Sequence, residues 1–285
     1  MIEVLHSGLY TSIQDQGRFG FQEFGVPSSG AMDQYSADLA NLLLGNDTND
    51  AVLEMTIQGP KLKFHSDTQI AITGAEMSPS LNDKPIAVHQ RIAINTGDVL
   101  SFGALKQGCR TYLAVKGGFQ SSVMLNSRSM YSGITETKML KRGDTIPIES
   151  LTSETSTNKA SIKANINHLS DSELSVFKGP EFDSLDETTI KVLTTTEFSV
   201  SNSSNRMAYL FNEVLPNDLP QIITAPSLPG TVQLTPSGQL IVLAKDCQTT
   251  GGYPRILQLS QEAMHCLFQK KAQQKVQLKI VDNPV

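Results

Sequence analysis

The sequence predicts a mainly β chain, folded as barrels or sandwiches with few short helices. Short apolar or alternating runs recur between residues 51 and 148 and again after residue 172, separated by turn signals such as Arg142-Gly143-Asp144. Between the two regions, residues 151–172 are rich in Ser, Thr, Asn and Lys, which is typical of a linker. We therefore expect an N-terminal β-rich lobe over residues 1–150, a polar linker over 151–172 and a C-terminal β-rich lobe over 173–285.

The clearest helix is predicted over residues 31–44, where apolar side chains recur at helical spacing. Ser29 can cap its start, Asp33 lies in the first turn, where a negative charge is favoured, and Gly45 ends it. A second, short helix is predicted from Ser260, which can cap it, to about residue 271. Residues 191–195 are predicted as one of the strands of the second region.

Composition indicates a soluble protein, for which a cytoplasmic location is the default expectation. Hydrophobic residues make up 39% of the chain, no apolar run approaches the roughly 18 residues of a membrane span, and the N-terminus lacks a signal-peptide pattern. The three cysteines are widely spaced and odd in number, which predicts free thiols. A formal net charge of −5 without a basic block argues against nucleic acid as a partner.

The segment from Lys245 to Arg255 is the strongest candidate for a functional loop. It follows two apolar runs that flank the turn Pro236-Ser237-Gly238, and it is dense in hydrogen-bonding side chains. Gly251 and Gly252 permit close approach by a ligand. The functional interpretation is a polar site loop at the mouth of a β-barrel, and the structural alternative is a long hairpin loop.

Arginines in loops of small residues are the second signal. Arg18 could point at an anionic ligand, since a planar guanidinium suits carboxylate or phosphate, or it could form a structural ion pair with Asp15. Arg128 lies in Ser127-Arg128-Ser129 and is either another anion contact or solvated surface.

The chain carries few groups suited to covalent or metal chemistry. The five histidines are scattered and form no metal-ligand pattern, and no nucleophile elbow is present. We interpret Cys247 as a space-filling residue, and structural roles are favoured for the candidate bases Glu54 and Asp246. The context of Lys138 is not that of a biotinylated lysine, so no biotin is expected on this chain.

Several long motifs occur in a fixed order along the chain. They are Gln14-Asp15-Gln16-Gly17-Arg18, Gly30-Ala31-Met32-Asp33, Ser127-Arg128-Ser129, Ser204-Asn205-Arg206-Met207 and Gln248-Thr249-Thr250-Gly251-Gly252-Tyr253-Pro254. Together these motifs resemble the KipA family, which includes the C-subunit of 5-oxoprolinase and is also described as biotin-dependent carboxyltransferase or allophanate hydrolase subunit 2. The resemblance extends over nearly the whole chain.

The resemblance implies two all-β lobes, of which the C-terminal one is cyclophilin-like. It also implies a component of an ATP-dependent 5-oxoprolinase that converts 5-oxo-L-proline to L-glutamate with a KipI-like protein and a LamB/YcsF-like protein. ATP, with Mg, would be shared with the partner subunit. The family likeness also leaves two alternatives: a biotin-dependent carboxyltransferase acting on a urea-like amide, and a non-catalytic regulator that binds a KipI-like kinase inhibitor.

The matching motifs indicate the site residues. Arg255, Arg206 and Arg18 are the expected catalytic contacts, and no metal ligand is expected. The expected substrate-binding residues are Gln14, Asp15, Arg128, Asn205, Gln233, Gln248, Thr249, Thr250, Gly251, Gly252 and Tyr253. The sequence departs from the family pattern at residues 208–212 and at Met130, where Thr is usual, and the first departure removes an expected cationic residue.

Overall fold

A computed structural model describes residues 1–149 and 164–282. Its described residues form two compact units: unit 1 draws on Met1–Arg18 and Ser29–Leu169, and unit 2 on Phe19–Ser28 and Ser170–Val285. The segment Phe19–Ser28 thus groups with the second unit, although it lies within the span expected for the N-terminal lobe. Most of the expected linker lies outside the described residues.

Unit 1 is built from two antiparallel sheets. Its strands are β1 (Ile2–His6), β2 (Tyr10–Gln14), β3 (Val52–Thr56), β4 (Lys61–Phe64), β5 (Thr68–Glu76), β6 (Pro79–Leu81), β7 (Lys84–Pro85), β8 (Arg91–Ile94), β9 (Val99–Phe102), β10 (Gln107–Val115) and β11 (Thr145–Ile146). The strand orders are β11-β1-β4-β9-β6-β7 and β2-β3-β10-β5-β8. One apolar cluster, which includes Phe64, Leu53 and Phe119, takes buried residues from both sheets, as expected for a sandwich or barrel core.

Helix α1 (Gln34–Leu44) packs its buried face on the second of these sheets. It begins three residues later than predicted because Asp33, and not Ser29, is its N-cap: the Asp33 carboxylate accepts the Ser36 N–H at 3.1 Å. Its predicted end is confirmed, since Gly45 adopts a left-handed conformation with φ of 67°.

Unit 2 is organised around a seven-stranded sheet. Its strands and those of a small two-stranded sheet are β12 (Glu173–Lys178), β13 (Glu197–Ser199), β14 (Ala208–Val214), β15 (Ala225–Pro226), β16 (Thr231–Leu234), β17 (Gln239–Leu243), β18 (Thr250–Gly251), β19 (Arg255–Leu259) and β20 (Lys275–Ile280). The large sheet has the order β13-β20-β12-β19-β16-β17-β14. An antiparallel bridge between Val200 and Phe211 brings its two edges together, so the sheet is nearly closed into a barrel.

Two α-helices accompany this barrel, α2 (Glu187–Thr195) and α3 (Gln261–Leu267). Ser260 caps α3 as predicted, accepting the Ala263 N–H at 3.1 Å. The strand predicted at residues 191–195 is wrong, because the Asp186 side chain accepts the Thr189 N–H and starts a helix there.

The remaining helical turns are short 3₁₀ segments at Gln22–Phe24, Asn167–Leu169 and Phe182–Ser184. The prediction of a mainly β chain with few short helices is confirmed. Among the described residues, no helix is both long enough and apolar enough to span a bilayer.

Candidate functional site

The predicted site loop lies between β17 and β19 and contains β18. Strand β18 pairs with β15, which lies in the connection between β14 and β16. Ala225 is opposite Gly251 and Pro226 is opposite Thr250. The Ser227 N–H donates to the Thr249 carbonyl at 2.9 Å, which extends the pairing by one residue. The loop therefore forms one wall of the candidate site, and residues 225–227 form the other.

Gln233 and Ser227 place two unpaired polar groups against this loop. Their residues are only 1% and 6% exposed, yet the Gln233 amide nitrogen and the Ser227 hydroxyl have no hydrogen-bond partner within the described parts of the chain. Leaving a buried polar group unsatisfied costs about 1–3 kcal/mol, so such groups call for an explanation. A ligand that supplies the missing donors and acceptors is the explanation this geometry favours.

A β-bulge and a glycine together position Gln233. The register of β16 against β19 shifts between Val232 and Gln233, so that Gln233 stands opposite Arg255. Bulges of this kind re-aim side chains and are frequent beside active sites. A Cβ added at Gly251 would lie 2.4 Å from the Gln233 amide nitrogen and 3.3 Å from the Ser227 hydroxyl. Glycine at position 251 is thus what lets the loop backbone approach both groups.

Arg255, an expected catalytic contact, is fully engaged as a clamp. Its Nε and Nη2 donate to the two carboxylate oxygens of Glu181 at 3.1 and 2.9 Å, and its Nη1 donates to the Pro226 carbonyl at 3.0 Å. The hydrogen bonds and charge of Arg255 lower the pKa of Glu181, and Glu181 in turn raises the pKa of Arg255. This clamp fixes the wall that carries Ser227.

Arg206, the second expected catalytic residue, is buried in an ion pair. Its Nε and Nη2 donate to the Asp246 carboxylate at 2.8 and 3.1 Å, and the Asp246 N–H donates to the Arg206 carbonyl. The neighbouring Asn205 is exposed and its side chain closes a local turn, accepting the Met207 N–H at 2.7 Å. The candidate base Asp246 therefore serves as the counter-ion of Arg206.

The chemistry of Cys247 is suppressed by its surroundings. Burial, followed by the negative charge of Asp246, raises the pKa of the Cys247 thiol to about 12. The thiol is thus protonated at neutral pH, in agreement with the prediction that it is not a nucleophile. Within the described ranges, no group of three or more His, Cys, Asp or Glu side chains is arranged to hold a metal ion.

In unit 1, the expected site residue Asp15 is the centre of a buried hydrogen-bonded cluster. The Asp15 carboxylate accepts the Ser127 and Ser129 hydroxyls at 2.7 and 2.6 Å and the Arg128 N–H at 2.6 Å. Arg18 does not pair with Asp15; its Nη2 donates to the Ser129 carbonyl. Asp15 thus ties the loop after β2 to residues 127–129.

Gln14 and Arg128 make hydrogen bonds to residues near this cluster. The Gln14 amide is buried and donates to the Ser12 hydroxyl at 3.0 Å. Arg128 is half-buried, and its guanidinium donates to the Ser121 carbonyl and to the Gln120 side chain.

A second buried network in unit 1 was not expected as a unit from the sequence. The Glu54 carboxylate accepts the Tyr112 hydroxyl at 2.8 Å and the Met32 N–H at 2.7 Å. The Tyr112 hydroxyl accepts the Asp33 N–H, and the Asp33 carboxylate lies 2.9 Å from His168 Nε2. Burial, then the charge of Glu54, raises the pKa of Tyr112 well above its ordinary value. These contacts give the candidate base Glu54 a structural role.

The structure therefore divides the expected residues between the two units. Unit 2 brings together Gln233, Thr249, Thr250, Gly251, Gly252, Tyr253 and Arg255, with Gln248 exposed at the start of the loop. Ser227 and Glu181 were missed, because β-strand pairing and an ion pair across 74 residues bring them to the loop, and neither leaves a local sequence signal.

Comparisons with known proteins agree with the fold. A sequence model of the family described as carboxyltransferase domain, subdomain A and B, matches residues 24–280. The chain is 34% identical over 275 residues to the C-subunit of 5-oxoprolinase from Escherichia coli strain K12, covering 94% of this chain and 87% of that protein. It is 45% identical over 149 residues to urea amidolyase of Lachancea kluyveri, covering 50% of this chain and 8% of that protein.

Solved structures with a similar fold include two that match nearly all of this chain. The crystal structure of TTHA0988 matches 98% of this chain with a TM-score of 0.84 at 26% identity, and that of K. lactis urea amidolyase matches 97% with a TM-score of 0.85 at 28% identity. The match covers 55% of the TTHA0988 chain and 18% of the urea amidolyase chain, so this chain spans about half or less of those proteins.

Proposed function

The chain belongs to the carboxyltransferase domain family with subdomains A and B, and from that premise we propose that it is the C-subunit of an ATP-dependent 5-oxoprolinase complex. In this role it binds 5-oxo-L-proline and positions its cyclic amide for opening to L-glutamate. The identity with the C-subunit of a known 5-oxoprolinase over 94% of the chain supports this assignment at the level of the whole chain.

The observation that carries the proposal is the unsatisfied amide of Gln233. A lactam is a cis amide, so its carbonyl and its N–H lie along one edge of the ring. The side-chain amide of Gln233 offers the complementary pair, a donating Nε2 and an accepting Oε1. Two hydrogen bonds would then satisfy the buried amide, whose nitrogen makes none with the described residues as the chain stands.

Ser227 and the loop backbone at Gly251 also support binding of the cyclic amide against Gln233. The Ser227 hydroxyl is a donor and an acceptor, and it lies beside Gln233 against Gly251. A donor aimed at the amide oxygen stabilises negative charge that develops there when the carbonyl is attacked. Arg255 and Glu181 act as positioning residues, because their ion pair and the Pro226 contact hold the Ser227 wall in place.

Arg206 and Arg255, two of the expected catalytic contacts, do not fit an ATP phosphate site. Arg206 and Arg255 are each neutralised by a two-pronged carboxylate contact, so neither presents a free positive charge to a phosphate. We therefore assign ATP and its Mg to the partner subunits of the complex, a KipI-like and a LamB/YcsF-like protein, and assign amide binding to this chain.

The test is release of L-glutamate from 5-oxo-L-proline and ATP by this chain co-purified with its two partner subunits. Gln233→Met keeps the side-chain length and removes both hydrogen bonds, so we expect a roughly 10- to 100-fold loss of rate at low substrate concentration. Gln239→Met is the matched control, because Gln239 lies half-exposed on the neighbouring β17. Equal rates for wild type and Gln233→Met would overturn the assignment of the site.

A second candidate function is carboxyl transfer to a urea-like amide. The identity of 45% over 149 residues with urea amidolyase favours it, and a urea-like amide offers Gln233 the same pairing edge. The same purified complex would be supplied with urea and a carboxybiotin donor. Urea-dependent loss of carboxybiotin, without any glutamate release from 5-oxo-L-proline, would replace the first proposal by this one.

A further inference from the structure

Unit 1 contains a cavity of about 490 Å³ that the proposed function does not use. It is formed by the long connection between β10 and β11 and by β11 itself, together with Ile13 of β2. Its wall mixes two kinds of surface, one apolar and one polar. A cavity of this composition is the usual form of a small-molecule site.

The apolar part of the wall is made of aliphatic and thioether side chains. Met130 and Leu140 are buried, Ile134 is partly exposed and Met124 is exposed. Met130 is also held in place, since its sulfur accepts the Ile13 N–H at 3.2 Å.

The polar part of the wall includes Arg128 and Ser121. Two contacts, to the Ser121 carbonyl and the Gln120 side chain, orient the guanidinium. Its other N–H groups have no acceptor in the described parts of the chain. The Ser121 hydroxyl is buried and likewise lacks a partner there. The cavity thus presents the remaining N–H groups of Arg128 and the Ser121 hydroxyl, which have no acceptor among the described residues.

Two carboxylates also line the cavity. The Asp144 carboxylate accepts the Lys141 N–H at 2.7 Å and so belongs to a turn, and Glu136 is exposed to solvent, where its charge is screened. The backbone N–H of Arg128 donates to the carboxylate of buried Asp15. This hydrogen bond fixes the backbone from which the Arg128 guanidinium extends. The local charge that a ligand head group would meet is therefore that of Arg128.

We propose that this cavity binds the carboxylate of a compact aliphatic acid, with the carboxylate on Arg128 and Ser121 and the aliphatic part against Met130 and Leu140. A planar guanidinium matches two carboxylate oxygens, and charge-assisted hydrogen bonds are about twice as strong as neutral ones. The cavity belongs to unit 1 and the Gln233 loop to unit 2, and binding here does not depend on the function proposed for that loop.

The first test locates the ligand in the wild-type protein. With ¹³C-methyl-labelled methionine, we would titrate 4-methylpentanoate and follow the methyl signals by NMR. Saturable shifts of Met124 and Met130 are expected, without saturable shifts of Met207 and Met264 in unit 2. The uncharged 4-methylpentanamide should bind at least about tenfold more weakly. Equal affinity for acid and amide, shifts confined to unit 2, or no saturable shift would overturn the proposal.

The second test uses variants whose fold is checked by thermal melting without ligand. Arg128→Gln should weaken binding of the acid by about tenfold or more and bring it close to that of the amide. Ser121→Ala, which leaves the Ser121 carbonyl contact intact, should weaken acid binding severalfold and serves if Arg128→Gln does not fold. Ser237→Ala, in unit 2, is the control. Unchanged affinity in folded Arg128→Gln and Ser121→Ala would contradict the site.

Discussion

Gly251 lies so close to Gln233 that a Cβ at position 251 would stand 2.4 Å from the Gln233 amide nitrogen. Real Cβ atoms do not approach a nitrogen so closely, so any other residue must displace the amide. The conformation of Gly251 does not itself require glycine, since its φ lies outside the left-handed region. The glycine is therefore explained by the approach to Gln233 and Ser227, and not by backbone strain.

Gly251→Ala should separate activity from stability. The added methyl meets the end of a flexible side chain, so the fold can adjust and we expect the free energy of unfolding to change by about 1 kcal/mol or less. The displaced amide loses its alignment, and glutamate release should fall by about tenfold or more. Steady-state assay and urea denaturation of the same preparation would check both parts.

Gly252→Ala is the matched comparison for this change. A Cβ at Gly252 would meet only the Ile222 carbonyl, at an ordinary 3.5 Å. We expect a clearly smaller loss of activity than for Gly251→Ala. Equal losses in the two variants would mean that the loop, and not the Gln233 amide, is what the reaction needs.

Gln233→Met should make the isolated chain more stable. The buried amide nitrogen of Gln233 has no partner in the described residues, and removing an unsatisfied buried polar group recovers about 1–3 kcal/mol. Urea denaturation should therefore show a higher free energy of unfolding for the variant, although its activity falls. A destabilised Gln233→Met would indicate that the amide has a structural partner and is not held ready for a ligand.

The sequence predicted the parts of this site that lie on one continuous loop. Gly251 and Tyr253 stand in a segment whose density of polar side chains and glycines is visible locally. Gln233 lies outside this loop, on β16, and was expected from the family resemblance. Ser227 and Glu181 could not be predicted, because the pairing of β15 with β18 and the Arg255 ion pair are tertiary events.

The sequence also predicted some parts of the fold correctly and others wrongly. The mainly β pattern and the caps at Gly45 and Ser260 follow from local chemistry, and the structure agrees with them. The strand predicted at residues 191–195 is wrong, because these residues belong to a helix that the carboxylate of Asp186 caps several residues upstream. Ser29 is not the N-cap: it adopts a φ of 53°, and the Asp33 carboxylate accepts the Ser36 N–H instead.

Glu181→Gln should weaken unit 2 at neutral pH. The variant loses the charge that Arg255 faces, and hydrogen bonds to charged groups contribute about 1.5–3 kcal/mol, so we expect a loss of about 2 kcal/mol of unfolding free energy at pH 7. Thermal melting should show it. The opposite variant, Arg255→Gln, should lose a similar amount, since both break the same pair.

The pH dependence of this loss has a definite sign. The pKa of Glu181 is lowered in the folded chain from an ordinary value of 4.5. Stability from the ion pair is therefore present above pH 4.5 and is lost as pH falls through the lower, folded pKa. Wild type and Glu181→Gln should converge in stability in that acidic range. A difference that persists unchanged into strong acid would rule out the charge as its cause.

Arg206 and Asp246 should behave as a coupled buried pair. Arg206→Met leaves the Asp246 carboxylate buried without its cation and should cost about 3–5 kcal/mol of unfolding free energy. The double variant Arg206→Met, Asp246→Leu removes both charges and should recover most of that loss. Additive losses in the double variant, measured by urea denaturation, would show that each residue acts through other contacts.

Cys247 should be inert in the folded chain. With a pKa of about 12, roughly one thiol in ten thousand is ionised at pH 8, and the side chain is buried. Iodoacetamide should leave Cys247 unmodified by mass spectrometry unless urea is added, and Cys247→Ala should retain glutamate release. Rapid alkylation of the native protein with parallel loss of activity would instead identify a reactive thiolate.

The same raised pKa predicts how Cys247 affects stability in alkali. A group whose pKa is higher in the folded state contributes fully below its unfolded value, near 9, and loses that contribution as pH rises toward about 12. Wild-type protein should therefore lose unfolding free energy between pH 9 and 11 faster than Cys247→Ala, which cannot ionise there. Parallel stability curves for the two proteins over that range would show that the thiol titrates alike in the folded and unfolded chains.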